Sequence, residues 1–401
     1  MPEIEYREYQ HEDAESFLRL HDAVFPPIQP EAWREWSRSQ VTASVAVLGG
    51  EVVGTVPFHF RNFRVRPASV VRLACEYSVC VREDLRGKRV GRGLMDEAKR
   101  FLRGRALAMM VYRGDERSYA YHYYHNNGHH DLTYLRSWVR RDGSPDVSAG
   151  GVEAAPWDGF LAREEEYLRV FRSAYGAYGG YPERGPGYYG PAVRTAMYDE
   201  VPLEITVLSR RSEEGVLGYA IVGEERRSPT LHLLELATVG NDLSQAQPLL
   251  ATYAAMAAQR GLPLAASMPD SSPYVPALRA LGFEPQPRSR SSTMIMAHVL
   301  DPESLAEATW RENEGTMGLE VQAWTPERQA MLHRTQLGHG RPVLLEMKEE
   351  TLTRLLFGRL DLESALAQEI VTAGSANAAD IRAIAQALPF SPWAYHQIDF
   401  I

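Results

Sequence analysis

The run from Glu76 to Met95, EYSVCVREDLRGKRVGRGLM, changes its local chemistry twice. It opens in a β-branched segment around Val79, Cys80 and Val81, which predicts a strand. It breaks at Arg86-Gly87-Lys88-Arg89-Val90-Gly91-Arg92-Gly93, and beyond the break Leu94, Met95, Ala98, Phe101 and Leu102 recur at helical spacing. A strand that turns through glycine and arginine into a helix N-terminus presents outward N–H groups and the positive end of a macrodipole. Such a turn can hold an anion. Arg82, Arg86, Lys88, Arg89 and Arg92 crowd the turn, although the whole chain has a formal net charge of -9. Local charge that opposes the global sign suits a diphosphate, and the plain alternative is a solvated basic turn.

The 401 residues are enough for two or three domains, and 44% apolar with 24% charged residues is an ordinary globular composition. Cys75 and Cys80 are expected in one strand, too far apart and too divergent to bridge, which fits a reducing cytoplasm. Met1 to Gln10 is charged from its third residue and has no apolar core of an export signal. No apolar run approaches the roughly 20 residues of a membrane span. The acidic balance argues against nucleic-acid binding and favours a small cationic partner.

Around the central run, Ile4–Gln10 predicts a strand and Asp13 caps a helix through Phe17, Leu18, His21 and Val24 that stops at Pro26. Val45 to Gly54 predicts a hairpin turning at Gly49-Gly50, and Val65 to Leu73 a further strand. After the central helix come a strand at Ala106–Tyr112 and a helix carrying Tyr119, Ala120, Tyr123 and Tyr124 that closes at Gly128. A last strand is expected at Asp131–Arg141.

Val81 to Leu94 resembles, without a gap, motif A of the GNAT N-acetyltransferases, whose Arg/Gln-x-x-Gly-x-Gly/Ala loop holds the pyrophosphate of acetyl-CoA. Arg86 and Gly91 occupy the family positions, and Arg89 stands where the first glycine is usual. Tyr124-His125-Asn126-Asn127-Gly128-His129 resembles the family's Tyr-x-x-x-Gly-Phe, with His129 in place of the phenylalanine. The resemblance implies an acetyl-CoA cosubstrate, no metal, and a binding set of Val79, Cys80, Val81, Arg86, Gly87, Lys88, Arg89, Val90, Gly91 and Arg92, with Ser118 and Tyr119 at the start of the tyrosine helix.

Gly143–Pro156 reads as a linker. Beyond it a helix (160–173), strands (203–208, 218–223, 231–239), a helix (243–260), a strand (264–268) and a helix ending at Leu281-Gly282-Phe283 repeat the order of the first unit. The corresponding loop, Thr238-Val239-Gly240-Asn241-Asp242, has no basic residue. The tail is expected to hold a strand at 292–300, strands at 319–324 and 342–346, and helices at 350–357, 362–368 and 377–388. Its LTRLLFGRL run at 352–360 and the ending Ile398-Asp399-Phe400-Ile401 resemble the Eis (enhanced intracellular survival) branch of the GNAT family. The fold class expected is α+β: two tandem GNAT folds, the second degenerate, plus a C-terminal sterol-carrier-like α/β domain. The boundaries expected are 1–146, 147–300 and 301–401. That branch implies a trimer or hexamer.

Acetyl transfer to an amine needs a base for the ammonium, a donor for the oxyanion and an acid for the leaving thiolate. Resemblance assigns the acid to Tyr124, with a core aromatic as the bland alternative. Two bases compete: the Ile401 carboxylate, as in Eis-like enzymes, and Glu76, placed as in other GNATs. Glu76 could instead attract the acceptor or pair with Arg72. Phe25, Trp33 and Trp36 are candidates for an acceptor mouth making cation–π contacts, or else for the core. His122, His125, His129 and His130 invite a metal reading that the tyrosine helix explains better. The activity implied is acetyl transfer to a primary amine of an aminoglycoside-, polyamine- or lysine-like acceptor, in a ternary complex. The alternatives are a protein lysine or N-terminal acetyltransferase using Glu76, and a non-catalytic acyl-CoA or lipid binder.

Overall fold

The computed structural model describes residues 3–25, 33–34, 37–38, 41–114, 116–140, 150–190, 204–224, 229–288, 293–335 and 339–399. Its contacts group the chain into two units, residues 1–133 with 294–392, and residues 134–293 with 393–401.

In the first unit, β1 (Glu5–Glu8), β2 (Val41–Leu48), β3 (Glu51–Arg66) and β4 (Ser69–Glu76) form an antiparallel meander. The β2–β3 turn is Gly49-Gly50 with φ of 62° and 84°, a conformation that glycine adopts without a Cβ clash. Two residues, Cys80–Val81, form β5 against Thr55 and Gly54 of β3. The helix Val90–Leu102 then buries Val90, Leu94, Met95, Ala98 and Leu102. It leads to β6 (Ala108–Arg113), which runs parallel to β4 only from Leu73↔Ala108 to Cys75↔Met110. The helix Tyr119–Asn126 follows, and the strand Thr293–Val299 covers the far edge of β6. The cysteines therefore lie in two strands, β4 and β5, rather than one; both are free and buried, and burial pushes each thiol up to about 12.

Residues 319–324, 329–333, 341–347 and 371–374 make a separate four-stranded sheet, accompanied by the helices Pro302–Thr309, Glu349–Leu356, Leu362–Ala367 and Ala378–Ala387. The strand Gln329–His333, the strand Val371–Gly374 and the helix Pro302–Thr309 were not expected from the sequence.

In the second unit the strands run in the order Val152–Pro156, Glu204–Ser212, Gly215–Glu224, Leu231–Thr238, Leu264–Pro269. The first four strands are antiparallel neighbours and the last pair is parallel. This is the order β1-β2-β3-β4-β6 of the first unit. The parallel pairing again spans three positions, Leu231↔Leu264 to Leu233↔Ala266, before the strands part. Among the described residues no helix is long and apolar enough to cross a membrane.

Candidate active site

β4 and β6 stop pairing after Cys75 and Met110, so the backbone at the end of β4 is released from the sheet. Ser78 takes φ 44° there, a left-handed turn that carries the chain out of β4 before β5. Half-buried Val79 lies between the two strands, followed by Cys80 and Val81 in β5.

From β5 the chain passes through a short 3-10 turn, Glu83–Leu85, into the basic loop. Arg86 folds back to donate from Nε to the Val81 carbonyl at 3.2 Å, and Gly87 has φ 76°. Lys88 and Arg89 are exposed. Arg89 is the residue before the helix and holds φ 64°. A non-glycine residue there costs about 1 kcal/mol, which explains why glycine is the common choice in this motif. Two of the five cations have local acidic partners: Arg82 with Asp84 at 2.7 Å and Arg92 with Asp96 at 3.9 Å. A Cβ on Gly91 would lie 2.8 Å from the Tyr123 ring, whose hydroxyl donates to the Gly91 carbonyl at 2.8 Å. Gly93 is likewise closed in by the ring of Tyr6. Both glycines thus let aromatic rings approach the first helical turn.

Ser118 caps the tyrosine helix, its Oγ accepting from Tyr121 N at 3.1 Å, and Tyr119 beside it is 86% exposed. Tyr124 lies in the last turn and is 1% exposed, its ring edge-on to Tyr123 at 5.0 Å and to His129 at 5.3 Å. Gly128, with φ 80°, ends the helix, and His129 N returns to the Tyr124 carbonyl at 3.1 Å. That closure turns His129 inward, where Nε2 meets Glu76 Oε1 at 2.5 Å with both side chains fully buried. Glu76 is thus paired with His129, not with Arg72.

His298 packs on His129 with ring centroids 5.8 Å apart and shares a 2.9 Å hydrogen bond with the Gly128 carbonyl. Burial, with the charges of His129 and Lys99, pushes His298 down to about 2. Lys99 donates to the Asn127 carbonyl at 2.7 Å, and burial lowers its pKa. The sequence showed His129 as a departure from the motif and as one of four nearby histidines, and it held no sign of His298 or Lys99 beside it.

Trp33 is fully enclosed, stacked on Phe17 at 4.2 Å and donating to the Tyr9 hydroxyl at 3.0 Å, so it belongs to the core and does not line a mouth. Phe25 is half-buried with its ring 5.3 Å from His21. Trp36 and Ile401 lie outside the described residues. His122 and His125 are exposed, and no cluster of metal-ligating side chains occurs among the described residues.

The profile of the acetyltransferase (GNAT) family matches residues 6–129, which span β1, the basic loop, the tyrosine helix and His129. This segment is a GNAT acetyltransferase. Across its full length the chain shares its fold with solved structures of low sequence identity. A probable N-acyltransferase from Enterococcus faecalis V583 has a TM-score of 0.69 at 14% identity, covering 99% of each chain. A GCN5-related N-acetyltransferase from Anabaena variabilis has 0.68 at 13%, covering 100% of each. Eis1 from Mycobacterium abscessus has 0.63 at 15%, covering 98% of this chain and 99% of its own. No curated protein sequence matches the chain. Acetyl-CoA is the cosubstrate of the GNAT family. The parted strands, the basic loop and the loop-to-helix turn in this segment fit such a thioester-bearing diphosphate.

Proposed function

We propose that the chain transfers acetyl from acetyl-CoA directly to a primary amine of a small cationic acceptor, aminoglycoside-, polyamine- or lysine-like. The observation that carries this reading is Tyr124 in the last helical turn, its ring 5.3 Å from His129, which meets Glu76 at the end of β4 where the sheet opens. The amine nitrogen attacks the thioester carbonyl, and backbone N–H groups around Val79 to Val81 hold the oxyanion. Collapse breaks the C–S bond, and Tyr124 gives its proton to the departing sulfur. A phenol near pKa ~10 is a weaker acid than a thiol near ~8.5, so this transfer runs uphill by about 2 kcal/mol. A site that holds the phenolate form offsets that cost.

The base is the terminal carboxylate of Ile401. Glu76 is the weaker candidate because His129 already occupies one of its oxygens. The net charge of -9 favours a cationic acceptor. Full-length likeness to Eis1 supports an Eis-like architecture, with residues 134–293 as a GNAT-like copy lacking a basic loop and the 319–374 sheet as a sterol-carrier-like part. A cytoplasmic homo-oligomer completes the reading.

Thiol release from acetyl-CoA, followed across a panel of aminoglycosides, polyamines and lysine peptides, tests it. Turnover is expected with at least one small polyamine or aminoglycoside, and Y124F lowers kcat by about 10²-fold with acetyl-CoA binding retained. Absence of turnover with every amine, in protein that binds acetyl-CoA, overturns the proposal.

A further inference from the structure

The helix Val90–Leu102 packs on one face of the first unit's meander, where Ser44 Oγ donates to the Leu94 carbonyl at 2.8 Å and Phe58 meets Phe101 edge-on at 6.2 Å. Register decides what else that face carries. The pairs are Glu8↔Ser44, Thr42↔Phe58, Phe60↔Ala74 and Asn62↔Arg72. With alternate residues of a strand on one side, Glu8, Thr42, Phe60 and Arg72 all stand on the side of Ser44 and Phe58. The helix ends at Leu102, Gly104 follows with φ 77°, and the Arg105 guanidinium comes to lie 5.2 Å from the Phe60 ring centroid and 5.6 Å from that of Phe101. A cavity of about 220 Å³ remains here, lined by Glu8, Thr42, Phe60, Arg72 and Arg105, with Arg38 from the turn before β2.

The charge in this cavity is unbalanced. Three guanidiniums meet one carboxylate. Glu8 Oε1 accepts from Arg105 Nη1 at 2.6 Å and from Thr42 Oγ1 at 2.8 Å, so that carboxylate is committed to Arg105. Arg38 and Arg72 form no ion pair among the described residues, and Glu76, further along β4, is held by His129. Arg72 also lies over Phe60, 4.6 Å from its centroid. Two guanidiniums on one ring gain from its π-face and repel each other, and an anion bound between them removes the repulsion. Each offers a planar fork of N–H donors that matches the oxygens of a phosphate group.

The rim holds its shape without a ligand. Arg7 donates to Asp13 Oδ2 and Oδ1 at 2.6 and 2.7 Å, and Asp13 accepts from Gln10 N at 2.8 Å, which fixes the chain after β1. Tyr9 N donates to the Ala43 carbonyl at 2.8 Å, and the Tyr9 hydroxyl accepts from Trp33 at 3.0 Å. A site with fixed walls loses little to ordering when it binds.

We propose that this cavity is a second anion site, for a phosphate dianion, free or as a small monoester, with Arg38, Arg72 and Arg105 as its binding residues. A phosphate monoester carries about −1.5 to −2 charge at pH 7, which matches the two positive charges left over by Glu8. The site is separate from the basic loop. That loop leads into the N-terminal end of the helix Val90–Leu102 and Arg105 lies past the other end, so 13 residues of helix put roughly 20 Å between them.

Calorimetric titration of the full chain tests this, with CoA at saturation so that phosphate sites of the basic loop are filled. The probes are glycerol 3-phosphate, inorganic phosphate, malonate and glycerol. One phosphate probe is expected to bind per chain, more weakly as salt rises, with no binding of glycerol. Tighter binding of glycerol 3-phosphate identifies a monoester site, and equal binding a site for free phosphate. R72M and R105M should each weaken binding by about tenfold or more, with KM for acetyl-CoA within about twofold. R72M is the deciding variant, since it keeps the aliphatic stem over Phe60 and breaks no ion pair among the described residues, whereas Arg105 also stands at a helix C-terminus, where a cation stabilises by itself. Unchanged phosphate affinity in R72M overturns the site. Absence of binding by both phosphate probes to the native chain overturns it as well, and malonate bound as tightly as either phosphate probe overturns the assignment to phosphate.

Discussion

Glu76 and His129 are 53 residues apart in sequence and share one 2.5 Å contact in a fully buried place. Replacing His129 by the motif's phenylalanine removes the partner of a buried carboxylate. H129F is therefore expected to lose about 3–5 kcal/mol in urea unfolding. The double variant E76Q/H129F should recover part of that loss, because the charge goes with its partner, and additive losses would show that the pair is not coupled. Tyr124 and Gly128 were legible in the sequence because a helix end has a local signature. The pairing of His129 was not, since nothing local says which strand end a returning side chain meets. Trp33 shows the reverse limit: an aromatic beside a proline run can be read as mouth or as core, and its stack on Phe17 decides for the core.

At the scale of the element, the basic loop joins two requirements that one residue cannot meet together. Arg89 supplies charge toward an anion, yet its φ of 64° is a glycine conformation. R89G should raise stability by up to about 1 kcal/mol while weakening acetyl-CoA binding by about tenfold at low salt, with a smaller loss at high salt. Differential scanning and equilibrium titration of the same samples read both effects, and equal affinity at every salt concentration would remove Arg89 from the cofactor site. The C-terminal segment carries a pH dependence of its own. Burial, with Arg184 adding and Asp399 opposing, pushes His396 down to about 3, among the rings of Tyr175 and Phe171. The unfolded chain takes up its proton near pH ~6.5, so the unfolded form binds more protons throughout the interval between. The stability due to neutral His396 is complete above pH ~6.5 and declines as pH falls toward about 3. Exchange protection of residues 393–399 should fall over that interval, and H396N should flatten the decline.

For the whole molecule, the repeated strand order was legible because each unit follows the same run of apolar periods and turn residues. The membership of the tail was not, because long-range contacts place 294–392 with the first unit and 393–401 with the second. Short strands such as Gln329–His333 escaped for a similar reason, since their pairing rather than their composition makes them strands. One side chain shows how the first unit holds its distant segments together. Arg66 at the end of β3 is 0% exposed and donates to the Pro389 carbonyl at 2.5 Å and to the Leu355 and Leu356 carbonyls at 2.6 and 3.3 Å. The latter two belong to the last turn of the helix Glu349–Leu356, whose final carbonyls have no partner within the helix. Burial and the charge of Arg311 push the guanidinium down to about 9, so it remains a cation at neutral pH and acts as a charged cap. R66M keeps the aliphatic stem and takes one donor from each of those carbonyls, of which Leu355's keeps Gly358 N at 3.0 Å, at about 1–3 kcal/mol for each group left without a donor. Hydrogen exchange should then show the helices 349–356 and 378–387 opening before β2, β3 and β4. If all of them still open together in R66M, with the midpoint of the intact chain, Arg66 does not couple the C-terminal sheet and its helices to the acetyltransferase fold.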